Sequence, residues 1–479
     1  MDDTSRTYDV VVIGAGPVGE NVADRTKAAG LSTVIVESEL LGGECSYYAC
    51  EPSKALLRPV LARADARRVP GLRKAVAGPL DVPAVLAHRD DIVFHWQDDG
   101  QVEWLNSVAV DIVRGHGRLD GPRQVVVTTP DGGTVRLTAR HVVAVCTGTR
   151  AALPDLPGLD GVRVWTSREA TSSSAVPGRL VVVGGGVVAV EMATAWRALG
   201  SEVTQLVRGS GLLAGREPFA GELVAEGLRE AGVDVRFGAS VTSVAREDGP
   251  DGEARITLAD GDQLVADEIL FATGRAPRTD DIGLETIGLT PGDWLRADGT
   301  CRVTAVEDGW LYAVGDVNHR VLMTHQGKYQ ARIAGAVIGA RVHGEPLDDG
   351  KWGAHVTTAD SEAVPQVVFT DPEVAFVGLT AQEAERAGRR IQVVDNDFQS
   401  VAGAAQYAEG FRGQARMVVD LDRGTVIGVT FVGPGIGELL QSATIAVVSE
   451  VPVERLWHAV PAFPTISEVW LRLMEAYRG

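Results

Sequence analysis

One pattern occurs twice in this chain of 479 residues: an apolar strand, a glycine-rich turn, a helix and a second strand. In the first copy, the β-branched run at residues 8–13 leads into Gly14-Ala15-Gly16-Pro17-Val18-Gly19, and a second strand at residues 32–36 ends at Glu37. A strand, a Gly-x-Gly-x-x-Gly turn, a helix and a terminal acid form a complete dinucleotide-binding βαβ unit. The sequence therefore predicts a Rossmann-like domain at its amino-terminal end.

The second copy begins with the strand at residues 179–183. It continues through Gly184-Gly185-Gly186-Val187-Val188-Ala189, a helix that ends at Leu199, and a strand at residues 202–207 that ends at Arg208. A serine-rich stretch, residues 171–174, precedes it and predicts a linker. We therefore expect a second Rossmann-like domain.

Each position of the first turn needs glycine for a different physical reason. Gly14 allows the tight turn, Gly16 lets a pyrophosphate approach the backbone, and Gly19 lets the helix pack closely on the strand. The phosphates then lie at the helix N-terminus, where free N–H groups favour anions. Glu37, 23 residues after Gly14, is placed to accept hydrogen bonds from an adenosine ribose. These features fit FAD.

The second turn differs at the position that discriminates between nucleotides. Gly184 and Gly186 are present, but Arg208 stands 24 residues after Gly184, where the first unit has an acid. A guanidinium binds a 2′-phosphate well, whereas a carboxylate repels one. The second site therefore fits NADPH, with NADH as an alternative, and Arg216 is a candidate to add to it. The other interpretation of Arg208 is a solvated residue at a strand end.

Two cysteines, Cys45 and Cys50, follow the first nucleotide unit in the segment Gly42-Gly43-Glu44-Cys45-Ser46-Tyr47-Tyr48-Ala49-Cys50-Glu51-Pro52-Ser53-Lys54. At a predicted helix start the dipole favours thiolate, and paired thiols beside a flavin site favour redox chemistry. The alternative is a pair of buried small hydrophobic residues, which is the usual state of an unpaired cysteine. That alternative suits Cys146 and Cys301 better.

Composition narrows the remaining possibilities. The net charge of −19 argues against a nucleic acid or an anionic membrane as a partner. The first residues carry neither a basic region nor a long apolar core, so the chain is expected to be cytoplasmic. Four cysteines in a chain of this length do not make a disulfide scaffold, and no Cys/His cluster suggests a metal site.

These patterns predict an α/β fold with two Rossmann-like dinucleotide-binding domains and a C-terminal α+β domain. From about Val364 the pattern changes to strands around a glycine turn, at residues 416–419 and 426–432, followed by helices at residues 439–448 and 467–477. The predicted boundaries, which also draw on a resemblance to a known family, are residues 1–154 for the first part of the FAD-binding domain, 155–277 for the NAD(P)H-binding domain, 278–350 for the second, central part of the FAD-binding domain, and 351–479 for the C-terminal domain.

The chain resembles the pyridine nucleotide-disulfide oxidoreductase family, the flavoproteins of the glutathione reductase, dihydrolipoamide dehydrogenase and mercuric reductase type. The resemblance runs almost end to end. Its motifs are the two glycine turns, Gly42-Gly43-x-Cys45-x4-Cys50-x-Pro52-Ser53-Lys54, Thr147-Gly148, Thr273-Gly274-Arg275 and Tyr312-Ala313-x-Gly315-Asp316. The Cys-x4-Cys segment is the most specific of them.

The resemblance implies a route for electrons: NAD(P)H reduces the flavin, which passes two electrons to the cysteine pair. Cys50 is then the thiolate against the flavin, and Cys45 is the thiol that attacks an outside substrate. The family is a homodimer in which the C-terminal domain of one subunit, the dimerisation domain, completes the active site of the other.

The resemblance also implies roles for other residues. Lys54 and Glu191 match an ion pair beside the flavin N5, and Asp316 matches the residue that binds the ribityl chain. His116-Gly117 matches a main-chain contact to adenine. Further cofactor contacts are implied at Gly43, Thr147, Gly148 and Gly274.

The chain departs from the family at its C-terminus. Where the family has His-Pro-Thr-x-x-Glu, this sequence has Phe463-Pro464-Thr465-Ile466-Ser467-Glu468, so the acid is present and the histidine base is replaced by an apolar ring. His458, five residues earlier, is more readily a surface residue than a substitute. Tyr47 and Tyr48 form a bulkier spacer than the family's, either as core residues or as a stacking surface.

Three functions remain open. The first is reduction of a disulfide-type substrate through Cys45. The second is transfer of electrons from the flavin or Cys50 to a quinone or other small acceptor, with the cysteines accessory. The third is a redox-poised binding protein without turnover. Replacement of Cys45 by serine separates the first from the second, because only the first needs that thiol.

Overall fold

A computed structural model describes residues 4–160, 162–247, 249 and 252–479. The chain divides into two compact units. The first contains the residues up to Pro52, Asp90–Ala152 and Arg275–Ser361, and the second contains Ser53–Arg89, Leu153–Gly274 and Glu362–Gly479. Both units combine helices and sheets, which confirms the α/β fold class. The bounds of the four predicted domain segments stay predictions.

The first unit is built on a sheet of seven strands among the described residues. The central strand, Thr4–Ile13, pairs in parallel with a neighbour on each side, so that Val10 faces both Thr33 and Val142. The side chains of Val10, Val11 and Val12 are fully buried. A strand buried on both faces has a continuous apolar sequence, which explains the run that the sequence shows here. In spatial order the path is Asp111–Arg114, Thr33–Glu37, Thr4–Ile13, Thr134–Val145, Gln124–Thr128 and His116–Leu119, with Leu311–Ala313 also paired to Thr134–Val145.

Helices and a short strand pair complete the first unit. The strand pair is Thr149–Ala151 with Arg275–Pro277. The α-helices are Pro17–Ala28, Gly43–Tyr48, Asp99–Ser107 and Thr324–His343. The 3-10 helices are Phe94–Trp96, Leu284–Ile287, Glu307–Gly309 and Asp316–Asn318.

The long helix Thr324–His343 packs closely against Pro17–Ala28. A Cβ added at Gly327 would lie 2.5 Å from a methyl group of Val18, and one at Gly335 would lie 2.3 Å from the Cβ of Arg25. Glycines on this face therefore let the two helices approach within a distance that larger side chains would prevent. This packing fixes the N-terminal end of the long helix next to the first glycine turn.

The second unit contains three sheets among its described residues. A parallel sheet has the order Asp234–Phe237, Glu202–Val207, Arg179–Val183 and Glu268–Phe271. An antiparallel sheet contains Val241–Arg246, Ala254–Leu258 and Gln263–Ala266. The C-terminal antiparallel sheet has the order Gln366–Val368, Glu373–Gly378, Thr425–Gly433, Gln414–Asp420 and Ile391–Asp397.

The remaining helices belong mostly to the second unit. The longer ones are Cys50–Arg68, which begins in the first unit, Val82–Ile92, Val187–Leu199, Pro218–Glu230, Leu440–Val448 and Val469–Arg478. The shorter ones are Ser167–Ser172, Ala359–Glu362, Ala381–Arg386, Ala402–Tyr407, Val453–Leu456 and the 3-10 helices Phe398–Ser400, Gly437–Leu439 and Ile466–Glu468.

The second βαβ unit lies where the sequence predicts it. Its strands are Arg179–Val183 and Glu202–Val207, with the helix Val187–Leu199 between them, which confirms the predicted bounds. The predicted linker is wrong in part, because its first two residues end the helix Ser167–Ser172. Thr166 and Glu169 form a capping box that stabilises this short helix. Among the described residues, every helix is too short or too polar to cross a membrane.

Candidate functional site

The first glycine turn has the geometry that a pyrophosphate requires. Gly14 has a φ of +98°, and a Cβ there would lie 2.6 Å from the carbonyl oxygen of Cys146. A Cβ at Gly19 would lie only 1.9 Å from the carbonyl oxygen of Gly14. Gly16, by contrast, has open space where a side chain would stand. The tight glycines close the turn against the sheet, and the open one leaves room for a ligand.

Glu37 lies beside this turn at the end of the strand Thr33–Glu37. One of its carboxylate oxygens accepts a hydrogen bond from the amide of Ala15 at 2.7 Å, and the other accepts one from the amide of Glu39 at 2.8 Å. Carboxylate oxygens have further lone pairs, so both can still accept from a ribose. Gly117 is in the strand His116–Leu119, and a Cβ there would lie 3.0 Å from a methyl group of Val36, beside Glu37.

Several residues near the first turn fit the remainder of a bound FAD. Gly148 has a φ of +68° and open space in place of a side chain. Among the described residues, the hydroxyl group of Thr147 is buried without a hydrogen-bond partner. Asp316 accepts a hydrogen bond from the hydroxyl group of Thr149 at 2.9 Å, and burial raises the pKa of its carboxyl group. An unpaired buried hydroxyl is costly unless a ligand satisfies it, so the site fits a polar cofactor.

The cysteine segment lies against the same turn. A Cβ at Gly43 would lie 2.7 Å from the Cα of Gly16, and the amide of Gly42 donates to the carbonyl of Ala15 at 2.8 Å. Any ligand on the open side of Gly16 is therefore close to the backbone that leads to Cys45. The sequence alone could suggest this proximity only through the spacing of the two motifs.

Both cysteines of the pair are half-buried. Cys45 is in the short helix Gly43–Tyr48, and Cys50 is the first residue of the helix Cys50–Arg68. A hydrogen bond with Cys50 and burial raise the pKa of the Cys45 thiol, whereas a hydrogen bond with Thr324 lowers it. The Thr324 hydroxyl is 3.0 Å from the Sγ of Cys45 and 3.3 Å from the Sγ of Cys50.

The other two cysteines are in the core of the first unit. Cys146 and Cys301 are both buried, with Cys301 fully inaccessible. Burial raises the pKa of each thiol. Thiols in such surroundings are inert.

Tyr47 is a core residue. Its ring is buried, its hydroxyl group donates to the carbonyl of Gln97 at 3.3 Å, and burial raises its pKa to about 12. The carbonyl of Tyr47 accepts from the indole of Trp96 at 3.2 Å. Of the two interpretations for this residue, the structure favours core packing. Tyr48 is half-buried. The centre of its ring is 6.4 Å from that of the Tyr47 ring, and the two ring planes are inclined by 59°.

Lys54 and Glu191 form the predicted ion pair in the second unit. The Nζ of Lys54 is 2.8 Å from one carboxylate oxygen of Glu191, and the other oxygen accepts from the amide of Phe369 at 3.0 Å. Glu191 is only 3% exposed. A buried carboxylate that holds two partners is fixed in place, and so is the ammonium group that it binds.

The second glycine turn repeats the geometry of the first. Gly184 has a φ of +138°, and a Cβ there would lie 2.3 Å from the carbonyl oxygen of Ala272. Gly186 has open space in place of a side chain, and Gly274 has a φ of +138°. Ala189, at the third small position, is fully buried in the helix Val187–Leu199. The geometry of the turn fits a second dinucleotide.

The two arginines proposed for this site have different surroundings. Arg208 is exposed just after the strand Glu202–Val207. The guanidinium of Arg216 lies 4.3 Å from the centre of the Phe376 ring and donates to Gln366 at 3.4 Å. Arg216 therefore already contacts Phe376 and Gln366. These contacts do not support a role for Arg216 as a phosphate ligand. Arg208 is the better candidate.

The carboxylate of Glu468 is bound to backbone amides. Its Oε1 accepts hydrogen bonds from the amides of Gly403 at 3.0 Å and Thr465 at 3.1 Å, and it caps the short helix Ile466–Glu468. Phe463 is 76% exposed, and His458 is also exposed. The carboxylate of Glu468, which the family resemblance pairs with a histidine, is therefore part of a backbone cap. Within the described residues, no group of three side chains is arranged to hold a metal ion.

Sequence reasoning missed two contacts of the cysteine segment. One is the Thr324 hydroxyl between the thiols, and the other is the ion pair of Glu44 with Arg275. In both, the partners are more than 200 residues apart in the chain. No local pattern signals such a contact.

Comparison with known proteins agrees with this geometry. The model of the pyridine nucleotide-disulphide oxidoreductase family matches residues 8–331, and that of its dimerisation domain matches residues 364–474. The chain is 32% identical to the dihydrolipoyl dehydrogenase of Chlorobaculum tepidum over 98% of this chain and 96% of that one. It is 34% identical to the mercuric reductase of Shigella flexneri over 97% of this chain and 80% of that one.

Solved structures show the same fold. The HOCl-induced flavoprotein disulfide reductase RclA of Escherichia coli, as its Cu(II) complex, superposes with a TM-score of 0.82 at 23% identity, over 98% of this chain and 99% of that one. LpdA of Mycobacterium tuberculosis superposes with a TM-score of 0.81 at 24% identity. Together with the family models and the relatives above 30% identity, the site geometry leads to one conclusion: the chain belongs to the pyridine nucleotide-disulphide oxidoreductase family and is an FAD-dependent oxidoreductase.

Proposed function

We propose that this enzyme oxidises NADPH and reduces a small disulfide substrate through Cys45 and Cys50. The observation that carries the proposal is the position of the two thiols. They share one hydroxyl partner, and their segment begins at Gly43, in contact with the backbone of Gly16. FAD, when bound at the first turn, takes a hydride from the nicotinamide and supplies two electrons to the disulfide form of the pair.

The exchange steps follow from thiol chemistry. The Cys45 thiolate attacks one sulfur of the substrate disulfide, so that its S–S bond breaks and one product thiol leaves. Cys50 then attacks Cys45, which breaks the mixed disulfide, releases the second thiol and forms the Cys45–Cys50 disulfide. The sum is NADPH, a proton and one disulfide converted to NADP⁺ and two thiols.

We assign the other residues by their match to the family. By that match, Lys54, held by Glu191, would act on the flavin N5, and Asp316 would bind the ribityl chain. Glu37 would bind the adenosine ribose, and Arg208 would bind the 2′-phosphate of NADPH. The preference for NADPH over NADH rests on Arg208 and on the absence of an acid at this strand end.

The chain carries the family's dimerisation domain, which supports a homodimer. We infer that residues near Phe463 face the thiols of the partner subunit. The exposed ring of Phe463 then meets the substrate where relatives have an imidazole. An apolar ring at this position favours an acceptor with an apolar surface.

A second candidate function follows from the same residue. Phe463 cannot act as a base, and Glu468 is held in a backbone cap, so neither side chain is suited to assist a slow thiol exchange. That observation favours direct transfer of electrons to a quinone or another small acceptor. The loss of a general base typically costs about a hundredfold to ten-thousandfold in rate.

The test is an anaerobic NADPH titration followed by turnover with a panel of acceptors. The panel contains oxidised lipoamide, glutathione disulfide, an aromatic disulfide and menadione. Disulfide reduction predicts that Cys45→Ser abolishes turnover, with Cys146→Ser as the control that keeps it. Turnover that survives Cys45→Ser would establish the quinone-type reaction instead.

A further inference from the structure

The side chain of Thr324 lies between the two thiols of the redox pair. Its hydroxyl group donates to the Sγ of Cys45 at 3.0 Å, and its Oγ1 is 3.3 Å from the Sγ of Cys50, where either atom can be the donor. A threonine hydroxyl has one proton to donate and two lone pairs that accept. It can therefore accept a proton from one sulfur atom while it donates its own proton to the other, and rotation of the hydroxyl exchanges the two roles. The arrangement in the structure, with the hydroxyl donating to Cys45, is the one that stabilises a Cys45 thiolate.

The first turn of a long helix fixes this hydroxyl. Thr324 begins the helix Thr324–His343, in which Gln326 and Gln330 each donate to the carboxylate of Asp360 at 3.0 Å. All three of these polar side chains are buried. Buried hydrogen bonds are costly to break, so the start of the helix is held in place. The Thr324 hydroxyl stays close to both sulfur atoms.

The chemistry of the pair requires a proton acceptor. Cys45 reacts with a disulfide only as a thiolate. Its hydrogen bond with Cys50 and its burial both raise the pKa of its thiol, which opposes loss of the proton to water, whereas its hydrogen bond with Thr324 lowers that pKa. Phe463, at the position where the family resemblance implies a histidine, has no atom that can accept the proton. Within the same subunit, the Thr324 hydroxyl is within hydrogen-bond distance of both thiols.

We propose that Thr324 is a catalytic residue that relays the proton of Cys45 to Cys50. The S–H bond of Cys45 breaks and its proton bonds to the Oγ1 of Thr324, while the hydroxyl proton of Thr324 forms an S–H bond with the Cys50 thiolate. Cys45 becomes the nucleophile, and Thr324 is unchanged. No electrons move between the sulfur atoms in this step.

The relay also returns the proton. After Cys45 has formed a mixed disulfide, the leaving thiolate of the substrate takes the proton from Cys50. Cys50 is then a thiolate again, ready to attack Cys45 and release the second product. The proton that passes through Thr324 thus serves both exchange steps. The inference rests on the disulfide reductase function proposed above.

The test is a single-turnover reaction of the NADPH-reduced holoenzyme with 4,4′-dithiodipyridine, followed by the absorbance of the released thiopyridone. This activated disulfide reports on the Cys45 thiol whatever the natural acceptor is. We expect Thr324→Val to slow the exchange by about a hundredfold, the lower end for loss of a proton-transfer group. Thr324→Ser retains the hydroxyl and should stay near the wild-type rate. An unchanged rate in Thr324→Val overturns the inference.

Two further measurements apply if Thr324→Val binds FAD poorly. In the unmodified enzyme, a proton in transit makes the exchange slower in deuterium oxide, and equal rates in the two solvents contradict the relay. His325→Gln tests the exposed neighbouring imidazole, and a loss of exchange in that variant assigns the proton to His325 instead. A failure of the proposed function gives a different result from a failure of the relay. In that case turnover with the acceptor panel survives the Cys45→Ser substitution.

Discussion

Glu44, the residue immediately before Cys45, forms an ion pair with Arg275. Arg275 also donates to both oxygen atoms of Thr149, from Nε to the hydroxyl at 2.9 Å and from Nη2 to the carbonyl at 3.0 Å. The turn that holds Cys45 is therefore tied to the strand pair that contains Thr149. Both charged side chains are mostly shielded from water, so removal of either one leaves the charge of the other without compensation.

Replacement of Arg275 by methionine should destabilise this turn. It leaves the shielded carboxylate of Glu44 without its main partner, and we expect the free energy of unfolding to fall by about 1–3 kcal/mol. Chemical denaturation and FAD retention measure the effect. Arg278→Met is the control, because its guanidinium is 3.6 Å from Glu44 and more exposed. Equal losses in the two variants would contradict a special role for Arg275.

Arg208→Glu should reverse the nucleotide preference. The substitution replaces a cation that attracts the 2′-phosphate by an anion that repels it. We expect kcat/KM for NADPH to fall by about tenfold to a hundredfold, the effect of losing 1.5–3 kcal/mol of a charged hydrogen bond, while that for NADH changes little. Steady-state kinetics with both nucleotides check this. Arg216→Gln is the matched control and should leave the preference unchanged, because Arg216 packs on Phe376.

Phe463→His should rescue the Thr324→Val variant in part. If both positions supply a proton acceptor to Cys45, an imidazole at position 463 compensates for the missing hydroxyl. We expect at least a tenfold recovery of the exchange rate, within the range of general base catalysis. Phe463→Leu, which offers no acceptor, should give none. A rescue by leucine would show that the ring acts by size alone.

Glu20 should make the stability of the protein depend on pH. It is 6% exposed in the helix Pro17–Ala28, and burial raises its pKa to about 8, although the charge of Lys328 acts in the opposite direction. The unfolded chain loses this proton near pH 4.5 and the folded chain near pH 8. The folded state therefore binds more protons between these two values. Its stability falls as the pH rises through that window, by about 1.4 kcal/mol per pH unit at most.

Glu20→Gln removes that ionisation. The free energy of unfolding, measured between pH 5 and pH 8, should then decline less steeply than in the unmodified protein. Glu222→Gln, at an exposed position of the helix Pro218–Glu230, is the control and should leave the slope unchanged. Parallel slopes in all three proteins would mean that Glu20 is ionised in the folded state.

The parts of the fold that the sequence predicts well have local physical causes. Gly14 and Gly184 both need a positive φ, and both stand so close to a neighbouring carbonyl that no side chain fits. The alternation of strand, turn and helix around them is equally local. For that reason the bounds Arg179–Val183 and Glu202–Val207 agree with those expected from the residues alone.

The features that the sequence does not predict depend on contacts across the chain. Thr324 reaches the thiols only because its helix packs on Pro17–Ala28 through glycines. Arg216 was a candidate phosphate ligand by its charge, but the ring of Phe376 is its neighbour in the fold. Glu468 matches a family position, and the hydrogen bonds that it accepts from Gly403 and Thr465 appear only in three dimensions.

The burial of Cys146 and Cys301 has a practical consequence. Thiol reagents reach neither residue in the folded protein, because both are in the core, whereas Cys45 and Cys50 are only half-buried. Alkylation of the native protein should therefore modify only Cys45 and Cys50, with two added groups in the reduced pair and none in its disulfide. The intact mass then reports how many electrons the pair stores at any moment of turnover, without a mutation or a flavin signal.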